Sequence, residues 1–174
     1  MAEKRNSSAP DAGKKELVIT RTFNAARSLV WKAWTDPEQL AKWWGPKGMP
    51  ISVHKFDLRP SGVFHYSMRT PNGSDWWGKF VYREIMAPER IVFISSFSDE
   101  KENITRHPLW PTWPLEVFNT LTFTEKSGKT TLTLRGAPIN ATEEEHKTFE
   151  ANTTNVQQGF KGTFDQLDEY LANS

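Results

Sequence analysis

The C-terminal part of the chain carries an apolar stripe with helical spacing, and no other sequence feature constrains the fold as strongly. The stripe consists of Phe149, Val156, Phe160, Phe164, Leu167 and Leu171, separated by seven, four, four, three and four positions. These intervals place the side chains on one face of an α-helix, and that face must be buried against another element. Thr142 and the acidic run 143–145 are typical of a helix N-terminus. We therefore predict one long helix from Thr142 to Leu171.

Two glycines, Gly159 and Gly162, lie inside this predicted helix. Each costs about 1 kcal/mol relative to alanine in a helix interior. We expect a bend or a close approach of helix and sheet at this point, because either would explain why two poor helix formers are tolerated.

Upstream of the helix, apolar and polar residues alternate over short segments that end at turn signals. We predict strands at 16–23, 51–58, 63–69, 75–86 and 90–98, and a final hairpin around Leu121–Phe123 and Leu132–Leu134. Asn72-Gly73 is typical of a tight hairpin turn. Strands joined by such short turns form an antiparallel sheet with one face on the core. The predicted fold class is α+β, with a curved antiparallel sheet of about six to seven strands around the long helix.

Two short helices are predicted between the first and second strands. Leu29, Val30, Ala33 and Trp34 recur at the intervals of a first helix. Asp36 and Pro37 then provide an N-cap and a proline at the first helical position, and Gln39 stands where a capping box has its third helical residue. The second helix is expected to end at Gly45-Pro46.

The composition argues against several classes of function. The chain has 174 residues, no cysteine and a formal net charge of +1, so disulfides, thiolate chemistry and nucleic-acid binding are not indicated. No apolar stretch approaches the ~20 residues of a membrane helix, and the N-terminal segment lacks the apolar core of a secretory signal. We predict a cytoplasmic protein with a disordered polar tail at 1–15 and a single domain at 16–174.

Aromatic residues are unusually frequent, with eight tryptophans and eleven phenylalanines. Since each ring can bury on the order of 150–250 Å², much of the core or of a cavity wall must consist of rings. Several rings lie in the segment 99–116, which is too rich in proline for a strand and carries Trp110 and Trp113. A long loop with residues of the buried type is often a lid or a binding loop.

Several short motifs follow one another in the order found in one known family. They are Phe23-Asn24-Ala25, the segment from Val30 to Glu38, Trp43-Trp44-Gly45-Pro46, the segment from Asp57 to Gly62, the segment from Pro88 to Ile91, and Thr130-x-Leu132-x-Leu134. Together they resemble the domain named for the activator of the heat-shock-protein-ninety ATPase, a branch of the START-like (SRPBCC) superfamily. The resemblance implies a helix-grip fold, in which the sheet wraps around the C-terminal helix. The Pro/Trp-rich segment 99–116 looks like an insertion into this pattern.

The resemblance and the density of rings imply non-enzymatic binding of a hydrophobic or aromatic small molecule in an internal cavity. Relatives imply two alternatives: a protein-interaction module that modulates a chaperone ATPase, and a cavity enzyme of the cyclase or hydrolase type. The sequence shows no acid–base pair that favours the enzyme. A stress-response role is compatible with all three.

The candidate binding site follows from the strand faces that would converge on the helical stripe. The predicted cavity-lining residues are Trp44, Phe64, Tyr66, Met68, Phe80, Phe97, Trp113, Leu121, Phe123, Phe160 and Phe164. Such walls describe a small-molecule pocket. A packed core without a cavity is the alternative, and tryptophans at surface loops could equally anchor a chaperone or a second copy of the chain.

The four histidines do not have the spacing of metal ligands, so neither a metal nor a cofactor is predicted. His65 alternates with Phe64 and Tyr66, and we expect it to face solvent. His107 borders the aromatic loop, where it could be an ordinary loop residue or could form a hydrogen bond to a ligand.

Overall fold

The computed structural model describes residues 10–11 and 13–173. The strands are β1 (Leu17–Phe23), β2 (Ile51–Phe56), β3 (Val63–Arg69), β4 (Asp75–Met86), β5 (Arg90–Ser98), β6 (Ile104–Thr105), β7 (Val117–Lys126) and β8 (Lys129–Pro138). The helices are α1 (Arg27–Thr35), α2 (Pro37–Trp43), α3 (Glu143–Ala151) and α4 (Thr153–Ala172). None of the helices within the described ranges is long and apolar enough to cross a membrane.

The strands form one curved antiparallel sheet in the order β1-β8-β7-β5-β4-β3-β2, and the two-residue strand β6 pairs with β5. The predicted α+β fold with its C-terminal helix is therefore confirmed. Helix α4 lies on the concave face, where Phe164 packs edge-on against Phe23 of β1 at a centroid distance of 6.2 Å. At this end of the domain the core is filled by α1 and α2, whose Trp34 and Trp43 are almost completely buried.

The caps at the helix starts follow the predicted chemistry in part. Asp36 accepts a hydrogen bond from the backbone N–H of Glu38, as an N-cap residue does. Gln39 does not complete a capping box there, because its side-chain amide points to the Asp36 carboxylate. Thr142 and Glu145 form a complete capping box at the start of α3. Leu29 lies on the solvent side of α1 and is 51% exposed, so it does not belong to the apolar face of that helix.

The predicted single C-terminal helix is instead two helices, which meet at Asn152. The backbone of Asn152 leaves the helical region with φ −112° and ψ 12°, and its side-chain amide donates to the carbonyl oxygen of Thr148. Residues 152–155 are Asn, Thr, Thr and Asn, which have low helix propensity because their side chains compete for backbone hydrogen bonds. Neither Gly159 nor Gly162 explains the break, since a Cβ atom added at either position would meet open space.

The outer face of the sheet is partly covered by the loop that follows β5. His65 is only 3% exposed, its Nε2 lies 3.0 Å from the carbonyl oxygen of Asp99, and its ring stacks on Trp77 at 5.1 Å. The prediction that His65 faces solvent is wrong. Alternation along β3 identified the outer face correctly, but it could not show that a distant loop folds back over this face.

Most of the segment predicted as a tail lies outside the described residues. Where this segment is described, it contacts the domain. The Asp11 carboxylate accepts hydrogen bonds from the backbone N–H groups of Asn140 and Ala141, and it lies 2.7 Å from Nε2 of His146. Lys14 forms an ion pair with Glu143 at the surface.

Candidate ligand cavity

Two adjoining chambers lie between the concave face of the sheet and helix α4. The inner chamber has a volume of about 240 Å³ and the outer chamber about 400 Å³. The residues common to both linings are Trp44, Tyr66, Met68, Phe97, Trp113, Val156 and Phe160. These residues form the boundary between the two chambers, which we refer to together as the cavity.

The inner chamber is lined by residues of six strands of the sheet, β1, β3, β4, β5, β7 and β8. Phe80 of β4, Phe93 of β5 and Val117 of β7 form its sheet wall, and Phe149 of α3 contributes to the opposite side. The paired positions Phe93 and Asn119 lie opposite each other on β5 and β7, so both side chains point into the chamber. The wall is almost entirely apolar.

A glycine on β4 makes room for the ring that separates the chambers. A Cβ atom at Gly78 would stand 2.7 Å from Cζ and from the hydroxyl oxygen of Tyr66, a distance that real Cβ atoms do not adopt. The Tyr66 ring therefore lies directly over the backbone of Gly78. This arrangement lets the ring lie flat against the sheet without filling the chamber.

The inner chamber has few polar groups, and two of them, on Asn119 and Ser95, are paired with each other. The side-chain Nδ2 of Asn119 donates to the Ser95 hydroxyl at 2.9 Å. It also donates to the backbone carbonyl oxygen of Val117 on the same strand at 2.9 Å. Asn119 is 6% exposed. This neutral pair places hydrogen-bonding groups on an otherwise apolar wall without the desolvation cost of a charge.

The outer chamber is bounded by the loop between β5 and β7. Trp110, Trp113 and His107 of this loop line the chamber together with Trp76 of β4, and Gly159 and Thr163 of α4 also belong to its lining. His107 stacks on Trp110 at 4.7 Å and lies 4.6 Å from the ring of Phe97. The loop therefore completes the wall of the outer chamber.

The loop is held in place by side-chain contacts at both of its ends. At the start, the Asp99 carboxylate accepts hydrogen bonds from the backbone N–H groups of Lys101 and Asn103. Further along, Arg106 forms an ion pair with the buried carboxylate of Glu145, and the hydroxyls of Thr112 and Thr148 are 2.7 Å apart. Glu145 is also the third residue of the α3 capping box. These contacts therefore hold the loop against the start of helix α3.

No aspartate, glutamate, lysine or arginine lines either chamber among the described residues. The titratable side chains in the two linings are Tyr66 and His107. Burial raises the pKa of Tyr66 to about 12, although the nearby Trp44 indole acts weakly in the opposite direction, so its hydroxyl stays protonated at neutral pH. The indole Nε1 of Trp44 itself has no hydrogen bond of normal geometry. Within the described ranges, no group of three or more His, Asp or Glu residues is placed to hold a metal ion.

The sequence model of one family, described as activator of Hsp90 ATPase homolog 1-like protein, matches residues 24–172. The chain belongs to this family. The resemblance drawn from the motifs is thereby confirmed. A search of curated proteins finds no match to the chain.

Solved structures of bacterial proteins have the same fold as this member of the activator of Hsp90 ATPase homolog 1-like family. Protein Ms6760 from Mycobacterium smegmatis is 31% identical, with 94% of each chain covered and a TM-score of 0.73. A protein from Staphylococcus epidermidis is 25% identical over 94% of this chain and 93% of its own, with a TM-score of 0.75. A protein from Arthrobacter aurescens is 24% identical over 97% and 92%, with a TM-score of 0.77, and shows the fold alone.

The structure of this family member brings together most of the residues that were predicted to line a cavity. Those on the chamber walls are Trp44, Tyr66, Met68, Phe80, Phe97, Trp113 and Phe160. Their role in binding a ligand stays a prediction.

The prediction is wrong for the other four residues, which do not line a chamber: Phe64, Leu121, Phe123 and Phe164. All are at most 1% exposed and line neither chamber. Their side chains do point inward, but Trp31 and Trp34 of α1 fill the space that Phe123 and Phe164 face. Phe64 stacks on Tyr66 at 4.8 Å. These residues belong to the packed half of the core.

Sequence reasoning missed the polar pair and part of the outer wall. Strand parity carried a usable signal, because Asn119 has the same parity as Leu121 on β7, and Ser95 the same parity as Phe97 on β5. Trp76 has the parity of Phe80 on β4 for the same reason. No sequence pattern could predict that Trp110 lines the outer chamber or how His107 is oriented, because side chains in a loop do not alternate between two faces.

Proposed function

We propose that the protein binds a hydrophobic or aromatic small molecule in the cavity between the sheet and helix α4. The observation that carries the proposal is the pair of adjoining chambers, about 240 Å³ and 400 Å³, which rings line and to which residues 10–11 and 13–173 contribute no charged side chain. Ligand pockets are typically 300–1,000 Å³ with apolar walls and a few placed polar groups. Membership of a family with this cavity-forming fold supports the same function.

Binding is favoured over catalysis by the chemistry of the lining. An acid–base mechanism needs two titratable groups with matched pKa values near one ligand atom. The lining offers Tyr66, whose pKa of about 12 keeps it neutral, and His107, whose pKa is lowered by burial. Both are suited to hold a ligand by neutral hydrogen bonds.

Modulation of a chaperone ATPase is the activity that the family's name suggests. A shared fold does not carry an activity from one protein to another, because function resides in the site. The apolar chambers support small-molecule binding, and we therefore favour this function over modulation of a chaperone.

The proposal is tested by blocking the boundary between the chambers. Val156 lines both chambers on α4, so Val156→Trp would fill the space at their junction. Thr154→Trp places the same ring on an exposed position of α4 outside both linings, and it serves as the matched control. The probe is tetralin, a rigid two-ring hydrocarbon, titrated into ¹⁵N-labelled protein.

We expect the wild type and the Thr154→Trp variant to bind tetralin with a dissociation constant on the order of 100 µM. The Val156→Trp variant should bind it at least tenfold more weakly. Equal binding by all three proteins would place the probe outside the cavity, and no binding to the wild type would reject the proposal.

A further inference from the structure

The imidazole ring of His107 is held in one orientation by the loop that carries it. Its Nδ1 accepts hydrogen bonds from the backbone N–H groups of Leu109, at 2.9 Å, and Trp110, at 3.1 Å. The ring also stacks on the Trp110 indole with an interplanar angle of 15°. Two backbone donors and a stacked ring leave the imidazole little freedom to rotate.

These contacts determine where the imidazole carries its proton. A nitrogen that accepts two N–H groups cannot itself be protonated, so the neutral ring carries its hydrogen on Nε2. Burial also lowers the pKa of His107, which favours the neutral ring. The Nε2–H group has no hydrogen-bond acceptor among residues 10–11 and 13–173, whereas Nδ1 has two donors.

The imidazole ring of His107 is half-buried beside other aromatic rings. His107 lines the outer chamber, and the rings of Phe97, Trp76 and Trp113 lie within 6.2 Å of its own. A hydrogen-bond donor in such an environment gains more from a partner than it would in water, and it is costly to leave unpaired once a ligand excludes water. The outer chamber therefore favours a ligand that brings an acceptor to this position.

The absence of charged side chains from the described lining indicates which kind of acceptor group a ligand would carry. A carboxylate or phosphate would enter a cavity whose described lining has no lysine or arginine, so its desolvation would not be offset. A neutral oxygen, as in a ketone, ester, amide or ether, can accept from Nε2–H without that cost. The aromatic walls accommodate the remainder of such a molecule.

We propose that the cavity selects neutral ring-containing molecules with an acceptor oxygen, and that Nε2–H of His107 donates to this oxygen in the outer chamber. This inference rests on the proposed function and names the ligand class and a specificity-determining residue for the same site. It assigns to the loop insertion a role in recognition.

The test compares two probes with the same carbon skeleton in two variants of the full chain. Tetralin and 1-tetralone differ by one ketone oxygen. His107→Asn keeps an oxygen where Nδ1 accepts from the loop backbone but removes the Nε2 donor. His107→Gln places an amide N–H near the position of Nε2. The measured quantity is the ratio of the tetralin to the tetralone dissociation constant, because this ratio cancels effects on the shape of the loop.

We expect this ratio to fall about fivefold from wild type to His107→Asn, corresponding to one neutral hydrogen bond. The ratio is compared, and not the tetralin affinity alone, because His107 lines the outer chamber and its replacement changes the binding of both probes. His107→Gln should recover part of the ratio. An unchanged ratio, with both probes weakened equally, would show that His107 only supports the loop, and the inference would be overturned while the proposed function stands. If the wild type binds neither probe, the proposed function fails and this inference with it.

Discussion

The amide nitrogen Nδ2 of Asn119 donates to the hydroxyl oxygen of Ser95 at 2.9 Å, across adjacent strands β7 and β5 and inside an otherwise apolar chamber. Under the proposed function, this pair would orient a bound ligand. A buried amide is tolerated only where it is hydrogen-bonded, and both partners here lie on the inward face of the sheet.

The Asn119–Ser95 hydrogen bond should be measurable as an energetic coupling. Asn119→Ala removes two hydrogen bonds from a buried group and should lower the free energy of unfolding by about 2 kcal/mol, whereas Ser95→Ala should lower it by about 1 kcal/mol. The double variant should be about 1 kcal/mol more stable than the sum of the single effects predicts. Urea denaturation of the four proteins measures this coupling, and additive effects would show that the two side chains do not interact in solution.

The division between packed core and cavity wall predicts unequal costs for two phenylalanines. Phe123 is 1% exposed and packs against Trp31 at 5.2 Å, so Phe123→Ala should lower the free energy of unfolding by about 3–5 kcal/mol. Phe97 lines both chambers, and Phe97→Ala enlarges a space that already exists, at a cost of roughly 1–2 kcal/mol. Similar losses for the two variants would mean that the chambers are closed in solution.

The two glycines of α4 should each be replaceable by alanine with a gain in stability. Added Cβ atoms would meet open space at Gly159 and Gly162, and both residues have ordinary helical backbone angles. Each substitution should raise the free energy of unfolding by about 1 kcal/mol, and the melting temperature by roughly 2–4 °C. Thermal unfolding followed by circular dichroism measures the melting temperature of each variant. A loss of stability at Gly162 would mean that the helix packs more closely there than the structure shows.

The contacts of Asp11 predict a stabilising effect that depends on pH. Burial alone would raise the pKa of this carboxyl, but hydrogen bonds from Ala141, His146 and Asn140 outweigh it, and the pKa lies below its usual value of 3.8. Because the folded-state pKa is lowered, the contribution to stability is complete above about pH 5 and is lost as the pH falls through 3.8 and below.

Asp11→Ala should therefore destabilise the protein by about 2 kcal/mol at pH 7, from the loss of charge-assisted hydrogen bonds. The difference from wild type should shrink below pH 4. Lys14→Ala, which removes only a surface ion pair from the same segment, is the control and should leave stability almost unchanged. A difference between wild type and Asp11→Ala that stays constant from pH 7 to pH 3 would contradict this account of the carboxylate.

The architecture could be predicted from the sequence because its signals are periodic and local. Alternation along β3, β4 and β5 fixed which residues face inward, and Asp36-Pro37 marked the start of α2. The break at Asn152 escaped prediction because Phe149 and Val156 are seven positions apart, an interval that keeps both on one face whether or not the helix is continuous between them. The low helix propensity of 152–155 was the available signal.

The candidate site could be predicted only in part because strand parity gives the direction of a side chain and not the depth to which the core is filled. Phe123 and Phe80 point the same way, yet α1 covers the first and leaves the second beside a chamber. The position of His107 depends on how the loop 99–116 folds onto α3 through Arg106 and Glu145. Contacts between residues so distant in sequence leave no periodic pattern.

The most direct test of the central claim is a titration of ¹⁵N-labelled wild-type protein with tetralin, followed through the indole N–H signals of the eight tryptophans. Binding in the cavity predicts that the signals of Trp44, Trp76, Trp110 and Trp113, which line the chambers, shift together and saturate. Trp77, which stacks on His65 at the outer face of the sheet, should not respond. Shifts confined to Trp77, or none at any tryptophan, would contradict the claim that this cavity binds a hydrophobic ligand.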